Sequence, residues 1–203
     1  MDSGPHESRG QEASGSLIAY IYEGEVYPPS EDTFFLADYL EQLGPIDVVL
    51  EVGFGNGYLT RLLAKKADYV VGSDISLRAA MNLIKRLREE SIGNVDILVS
   101  DSVSVFRKKC FELIVSNPPY LPCDYEKEPM WCGGANGIEF SLRLARESME
   151  HLIKNGSLVF LVSSLSNFRI LIQELKKFYK RLLVVKTKHI SLFEKLFIIQ
   201  CVR

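Results

Sequence analysis

Four consecutive residues, Asn117-Pro118-Pro119-Tyr120, combine a side-chain amide, two rings without a backbone N–H, and a flat phenol. That combination suits group transfer to a planar NH2. Such a target presents two N–H donors and a nitrogen lone pair tied up in conjugation. A site acting on it must accept both hydrogens and leave the nitrogen facing the incoming carbon. Asn117 Oδ1 can accept one hydrogen and the Pro118 carbonyl the other. Pro118 and Pro119 fix two φ angles and hold the residues before them extended, so both acceptors are set before the target arrives. Tyr120 can stack on the flat target. No strong base is needed, because the nitrogen becomes acidic once it carries the new group. The three histidines agree: His6 lies near the start of the chain, and His151 and His189 lie far along it from the motif. Alone, the tetrapeptide also reads as an ordinary proline-rich turn.

A second set of residues lies upstream, in Glu51-Val52-Gly53-Phe54-Gly55-Asn56-Gly57. Gly53, Gly55 and Gly57 let the chain turn sharply and let a ligand approach the backbone. The pattern is GxGxG, not the GxGxxG of dinucleotide sites, and Glu51 stands two residues before the first glycine. A pyrophosphate wants bare N–H groups. A carboxylate suits a ligand with a cationic part, such as a sulfonium or an ammonium. Asp74 occupies the place of the acid that takes ribose hydroxyls in Rossmann-like folds. In Val99-Ser100-Asp101-Ser102, Asp101 can accept from an adenine amine and the Ser102 N–H can reach a ring nitrogen. Each feature alone reads as a tight turn or a helix cap. At the ends of three consecutive strands they describe a nucleoside site. S-adenosylmethionine, a nucleoside with a sulfonium, is one ligand of that description, and the group transferred would then be methyl.

The elements that must position these residues follow from periodicity. Helical spacing runs over residues 31–43, with Ser30 as N-cap and Thr33 at the third helical position, and Gly44-Pro45 stops it. Strands are expected over 47–52, 69–74, 95–100 and 111–116, and helices over 58–67 and 77–90. A loop over 121–137 precedes a helix over 139–153 that ends at Asn155-Gly156. A strand over 158–162, a helix over 168–179 and strands over 182–186 and 196–202 complete the chain. This alternation predicts an α/β, Rossmann-like fold: a seven-stranded, mostly parallel sheet with helices on both faces. Ligands then bind beyond the carboxyl ends of the strands.

The chain has 203 residues, 47% of them hydrophobic, enough for a single domain. Residues 1–16, rich in Gly, Ser, Glu and Pro, are expected to be a disordered tail, with the domain over 17–203. A formal net charge of −2 gives no global basic field. Cys110, Cys123, Cys132 and Cys201 form no CxxC pair, so reduced thiols in a cytoplasmic protein are expected, with neither a disulfide framework nor a metal site. No apolar run reaches membrane-spanning length.

Together, residues 51–57, Asp74, Asp101 and Asn117-Pro118-Pro119-Tyr120 resemble the class I methyltransferases that modify amino nitrogens. More closely, Val26-Tyr27-Pro28-Pro29-Ser30-Glu31-Asp32-Thr33-Phe34 resembles the Y-x-P-x-E-D-T segment of HemK-type protein-glutamine methyltransferases. Gly133-Gly134-Ala135-Asn136-Gly137 resembles that family's Gly-Gly-x-x-Gly loop. The resemblance spans about residues 20–203. It implies methylation of the glutamine in the Gly-Gly-Gln loop of a class I peptide-chain release factor. It also implies cofactor contacts from Thr33, Glu51, Gly53, Gly55, Asp74, Asp101, Ser102 and Asn117, with Asn117 holding the target amide. Only a short stretch precedes the core, which is similar to the archaeal and eukaryotic branch. Members of that branch work with a small zinc-binding activator subunit at an edge of the sheet, here expected at the third strand. Phe54, Asn56 and Cys132 depart from the family pattern, being larger than the residues usual there.

Three other readings compete. A nucleic-acid amino-methyltransferase acting on adenine or guanine would use the basic stretch from Arg169 to Lys195, which more simply reads as a solvated face. A lysine target would need a base that is not evident. An inactive methyltransferase-like scaffold would show a broken site, whereas every expected polar group is present here.

Overall fold

The computed structural model describes residues 26–101, 103–123 and 131–203. The tail expected over residues 1–16 and the start of the domain near Leu17 lie outside them, as does Ser102. The elements are α1 (Glu31–Leu40), β1 (Ile46–Val52), α2 (Tyr58–Leu63), β2 (Ala67–Asp74), α3 (Leu77–Glu89), β3 (Val95–Val99), β4 (Phe111–Ser116), α4 (Glu139–His151), β5 (Leu152–Ser163), α5 (Phe168–Leu175), β6 (Arg181–His189) and β7 (Lys195–Val202).

The strands form one seven-stranded sheet in the order β3-β2-β1-β4-β5-β7-β6. The pairs β1–β2, β2–β3, β1–β4 and β4–β5 are parallel, and β7 runs antiparallel to β5 and β6. β4 is central and, as expected, β3 is an edge. The inner strands are apolar on both faces because helices cover both. Leu50, Leu158, Phe160 and Val162 pack under α4 and α5, with Leu144, Ala145, Leu171 and Leu175. Their neighbours Val49, Val159 and Leu161 point the other way, into Phe35, Leu36, Leu40, Leu59 and Leu63 of α1 and α2. A third cluster seats α3 through Ala79, Ala80, Leu83 and Leu87 on Phe54.

Several boundaries differ from the periodic reading, among them the end of α1 at Leu40 instead of 43 and the extension of β5 to Leu152–Ser163 and of β6 to Arg181–His189. The helix expected over 58–67 ends at Leu63, because Ala67 already pairs with Ile46 as the first residue of β2. The last helix likewise stops at Leu175 instead of 179. Asn155-Gly156 does not cap α4, which ends at His151. These residues form a bulge inside β5, where residues 153–156 stand opposite Glu112 alone. Asn155 takes a φ of 65°, and a Cβ on Gly156 would lie 2.9 Å from the Glu112 carbonyl oxygen. Among the described residues no helix is long and apolar enough to cross a membrane.

Candidate active site

β1 pairs with β2 on one side and β4 on the other, so strand order reverses between β1 and β4. The turn after β1 and the Asn117 segment after β4 meet at this point, as the rule for open α/β sheets requires. Ser116 ties the two strand ends by donating from Oγ to the Val52 carbonyl at 2.8 Å.

In the turn after β1, Gly53 has a φ of 75° and donates its N–H to Ser73 O at 2.7 Å. A Cβ there would meet nothing within 4 Å, so this backbone faces open space. Gly57 has a different reason to be glycine: a Cβ would strike Leu83 of α3 at 2.2 Å. Neither oversized residue of the loop narrows it. Phe54 is buried beneath α3, and Asn56 Oδ1 accepts the Tyr58 N–H at 3.0 Å.

Two of the expected carboxylates line this turn. Glu51 is buried and accepts a hydrogen bond from the Thr60 hydroxyl. Burial pushes its pKa up to about 8, the Asp74 charge adds to the rise, and Thr60 opposes it. Asp74 accepts the Gly55 N–H at 2.8 Å and the Ser76 N–H at 2.8 Å, so it holds the glycine turn against the start of α3. Burial raises its pKa and these backbone donors counteract it. Asp101 is exposed, and its carboxylate lies 3.7 Å from Arg143 of α4.

At the reaction end, the centre is a residue to which the sequence reading gave no role. Asp32, in the first turn of α1, is buried and receives five donors. They are the Tyr27 hydroxyl at 2.8–2.9 Å, the Thr33 N–H at 2.6 Å, the Thr33 hydroxyl at 3.2 Å, Asn117 Nδ2 at 3.1 Å and the Tyr120 hydroxyl at 3.1 Å. Thr33 Oγ1 also accepts from Asn117 Nδ2 at 3.4 Å. An acceptor-only partner fixes which way round the Asn117 amide sits. Nδ2 turns to Asp32, and Oδ1 turns away, buried and without a hydrogen-bond partner. Buried acceptors are rarely left so, and an orphan of this kind is free to accept from a donor that a ligand or water brings. Burial, with Asp32 and Tyr27 nearby, raises the Tyr120 phenol, so it remains a neutral donor. The only sequence signal for Asp32 was its place in the E-D-T triplet.

The 133–137 loop braces the Asn-Pro-Pro-Tyr backbone. A Cβ on Gly133 would lie 2.8 Å from the Pro119 carbonyl oxygen, and one on Gly137 2.4 Å from that of Tyr120. Glu139 shapes the loop by accepting from Asn136 and Ile138. Leu121 and Cys132 form a parallel bridge, and Gly133 N donates to Leu121 O at 2.9 Å. This contact corrects the cysteine expectation: Cys123 and Cys132 are joined by a disulfide, with Cα atoms 5.4 Å apart. Their spacing matches no motif, and only the strand-like pairing of the two loop ends brings them together. Cys110 and Cys201 are free.

The site therefore pairs a buried carboxyl and an open glycine turn with an amide oxygen that lacks a donor. That donor set fits a cationic nucleoside cofactor and an NH2 target. The comparisons with known proteins agree. The methyltransferase small domain matches residues 31–193. A Methanocaldococcus jannaschii protein bearing the name protein N5-glutamine methyltransferase is 34% identical over 159 residues, covering 75% of this chain and 79% of the relative. Mus musculus methyltransferase HEMK2 is 32% identical over 160 residues, covering 70% and 73%. A chain from the E. cuniculi Mtq2–Trm112 complex, responsible for methylation of the eRF1 translation termination factor, superposes with a TM-score of 0.70 at 25% identity. It covers 89% of this chain and 99% of that one. The chain belongs to the small-domain methyltransferases, and within them to the HemK-type protein N5-glutamine methyltransferases.

Proposed function

We propose that the protein methylates the side-chain amide of the glutamine in the Gly-Gly-Gln loop of a class I peptide-chain release factor, using S-adenosylmethionine. The observation that carries this reading is the buried Asn117 Oδ1, held in place by Asp32 and lacking a donor. S-adenosylmethionine, when bound, supplies an electrophilic methyl group on a sulfonium. Glu51 would face its cationic methionine end, and Gly53 and Gly55 would let it approach the backbone. Asp74 would take the ribose, Asp101 and Ser102 the adenine, and Thr33 and Asn117 would border the methyl.

Asn117 Oδ1 and the Pro118 carbonyl accept the two amide hydrogens. Drawing on both N–H bonds pushes the nitrogen towards tetrahedral geometry and frees its lone pair. Pro118 and Pro119 keep these acceptors from reorganising. Tyr120, its hydroxyl anchored on Asp32, offers its ring to the flat amide. Once methylated, the target nitrogen would be acidic and would release one proton to water, so no side-chain base need stand beside it. His151 takes no part, since its Nδ1 contacts the Arg107 carbonyl at 3.2 Å.

A small zinc-binding activator subunit would cover β3. Support comes from that edge strand, whose Leu98 and Val99 are exposed, and from the complex in which the E. cuniculi relative was solved. A release-factor substrate places the protein in the cytoplasm. The test is to incubate it, with and without a candidate activator, with labelled cofactor and either a Gly-Gly-Gln release factor or structured RNA. Label is expected on the release factor, and Asn117→Ala is expected to keep cofactor binding and lose transfer. Label entering RNA alone would refute the substrate, and unchanged turnover in Asn117→Ala would refute the mechanism.

A further inference from the structure

The turn between β6 and β7, Ile190 to Glu194, carries two of the most exposed large apolar side chains among the described residues, Leu192 at 96% and Phe193 at 85%. This tip is built. Ile190 N donates to Glu194 O at 3.0 Å, and the N–H groups of Phe193 and Glu194 donate to Ser191 Oγ at 3.2 and 3.1 Å. The tip is also anchored to the end of β5: Glu194 accepts the Ser163 hydroxyl at 2.7 Å, and Ser164 and Lys195 exchange hydrogen bonds at 2.8 and 2.9 Å. A turn so pinned presents Leu192 and Phe193 to water in a fixed direction, which adjacent apolar side chains do not adopt for stability.

Its position suggests its use. Ser116, the last residue of β4, pairs with Phe160, so β5 runs on for three residues past the point where the Asn117 segment begins. The anchored tip therefore stands beside the mouth of the site, and Glu194 is close enough for its charge to act on Tyr120. The β3 edge lies far away. Five strand steps separate β3 from β7 in the sheet order, about 24 Å at the usual spacing. A subunit seated on β3 leaves this tip uncovered.

We infer that the β6–β7 tip is a docking element for the protein substrate, with Leu192 and Phe193 entering an apolar depression beside the target glutamine loop. The inference rests on the protein-glutamine reading of the site. It predicts that a folded substrate is recognised by more than its loop, because a rigid pair of apolar anchors loses little freedom on binding.

The test compares wild type with the double variant Leu192→Ser/Phe193→Ser, in the presence of the activator. The substrates are a folded release factor and a short Gly-Gly-Gln peptide. For the folded protein, KM is expected to rise about tenfold or more with kcat held. Peptide turnover, cofactor affinity and melting temperature are expected to match wild type. An unchanged KM for the folded protein overturns the inference, as does an equal loss on the peptide. A wild-type dimer that the variant dissolves would assign the tip to self-association instead. If wild type and variant alike label no glutamine, the substrate reading itself fails and takes this partner with it.

Discussion

Replacing Asp32 by Asn tests the site at its least obvious point. The carboxylate has two oxygens, and five donors converge on them. Asn keeps the shape but turns one oxygen into an NH2, which must then face either the Thr33 N–H or the Asn117 NH2. In the first arrangement the start of α1 loses a 2.6 Å hydrogen bond. In the second, the Asn117 amide rotates to give its oxygen to residue 32, and an NH2 then meets the N–H of the target. Either way one hydrogen bond to a charged group is lost, worth about 1.5–3 kcal/mol. Spent on the target's orientation, that is roughly a 10- to 150-fold fall in kcat. The assay is single-turnover methyl transfer at saturating cofactor, with cofactor affinity measured by calorimetry and folding by thermal melt. Affinity is expected to change far less than kcat. A folded variant whose kcat stays within about twofold of wild type would refute the claim that Asp32 orients Asn117.

Two further outcomes follow from the same geometry. The Glu51 carboxyl, raised from 4.5 to about 8, favours the ligand-free fold fully below its unfolded value and loses that contribution as pH rises through about 8. A cationic cofactor prefers the ionised form, so its binding should expel a proton and tighten by up to about tenfold per pH unit until about pH 8. Calorimetry in buffers of different ionisation heat measures the proton, and a Glu51→Gln variant with the same slope would contradict the assignment. Gly137→Ala adds a Cβ 2.4 Å from the Tyr120 carbonyl at a φ of 70°, and should cost about 1–3 kcal/mol together with a marked loss of kcat. Unchanged turnover in that variant would show that the 133–137 loop does not brace the catalytic segment.

What could be read from the sequence was what is written locally. The alternation of strand and helix patterns announced the parallel sheet, and the unusual turns after β1 and β4 announced the segments that meet at its switch point. Asp32 stayed hidden because its partners Asn117 and Tyr120 are 85 and 88 residues away, and nothing in an E-D-T triplet says that the acid faces inward. Asn155-Gly156 misled because the same dipeptide ends a helix or forms a bulge, and the choice is made by the register of β4 against β5. The Cys123–Cys132 bond was missed for a similar reason, since the pairing of Leu121 with Cys132 is tertiary. Sequence also could not show Asp101 beside Arg143.

The lone oxygen of Asn117 has a bearing on how this chain can evolve. A buried acceptor without a donor costs about 1–3 kcal/mol, a sizeable share of a domain's net stability. Thermal selection acting on the chain alone cannot simply remove it, because an apolar side chain at position 117 would also take the Nδ2 donor from the buried Asp32 carboxylate, a loss of about 1.5–3 kcal/mol that offsets the gain. Stabilised descendants, natural or designed, should thus gather their gains elsewhere. A thermally selected library should therefore keep Asn at this position for as long as Asp32 is present, and release the two residues together where its chemistry is not selected.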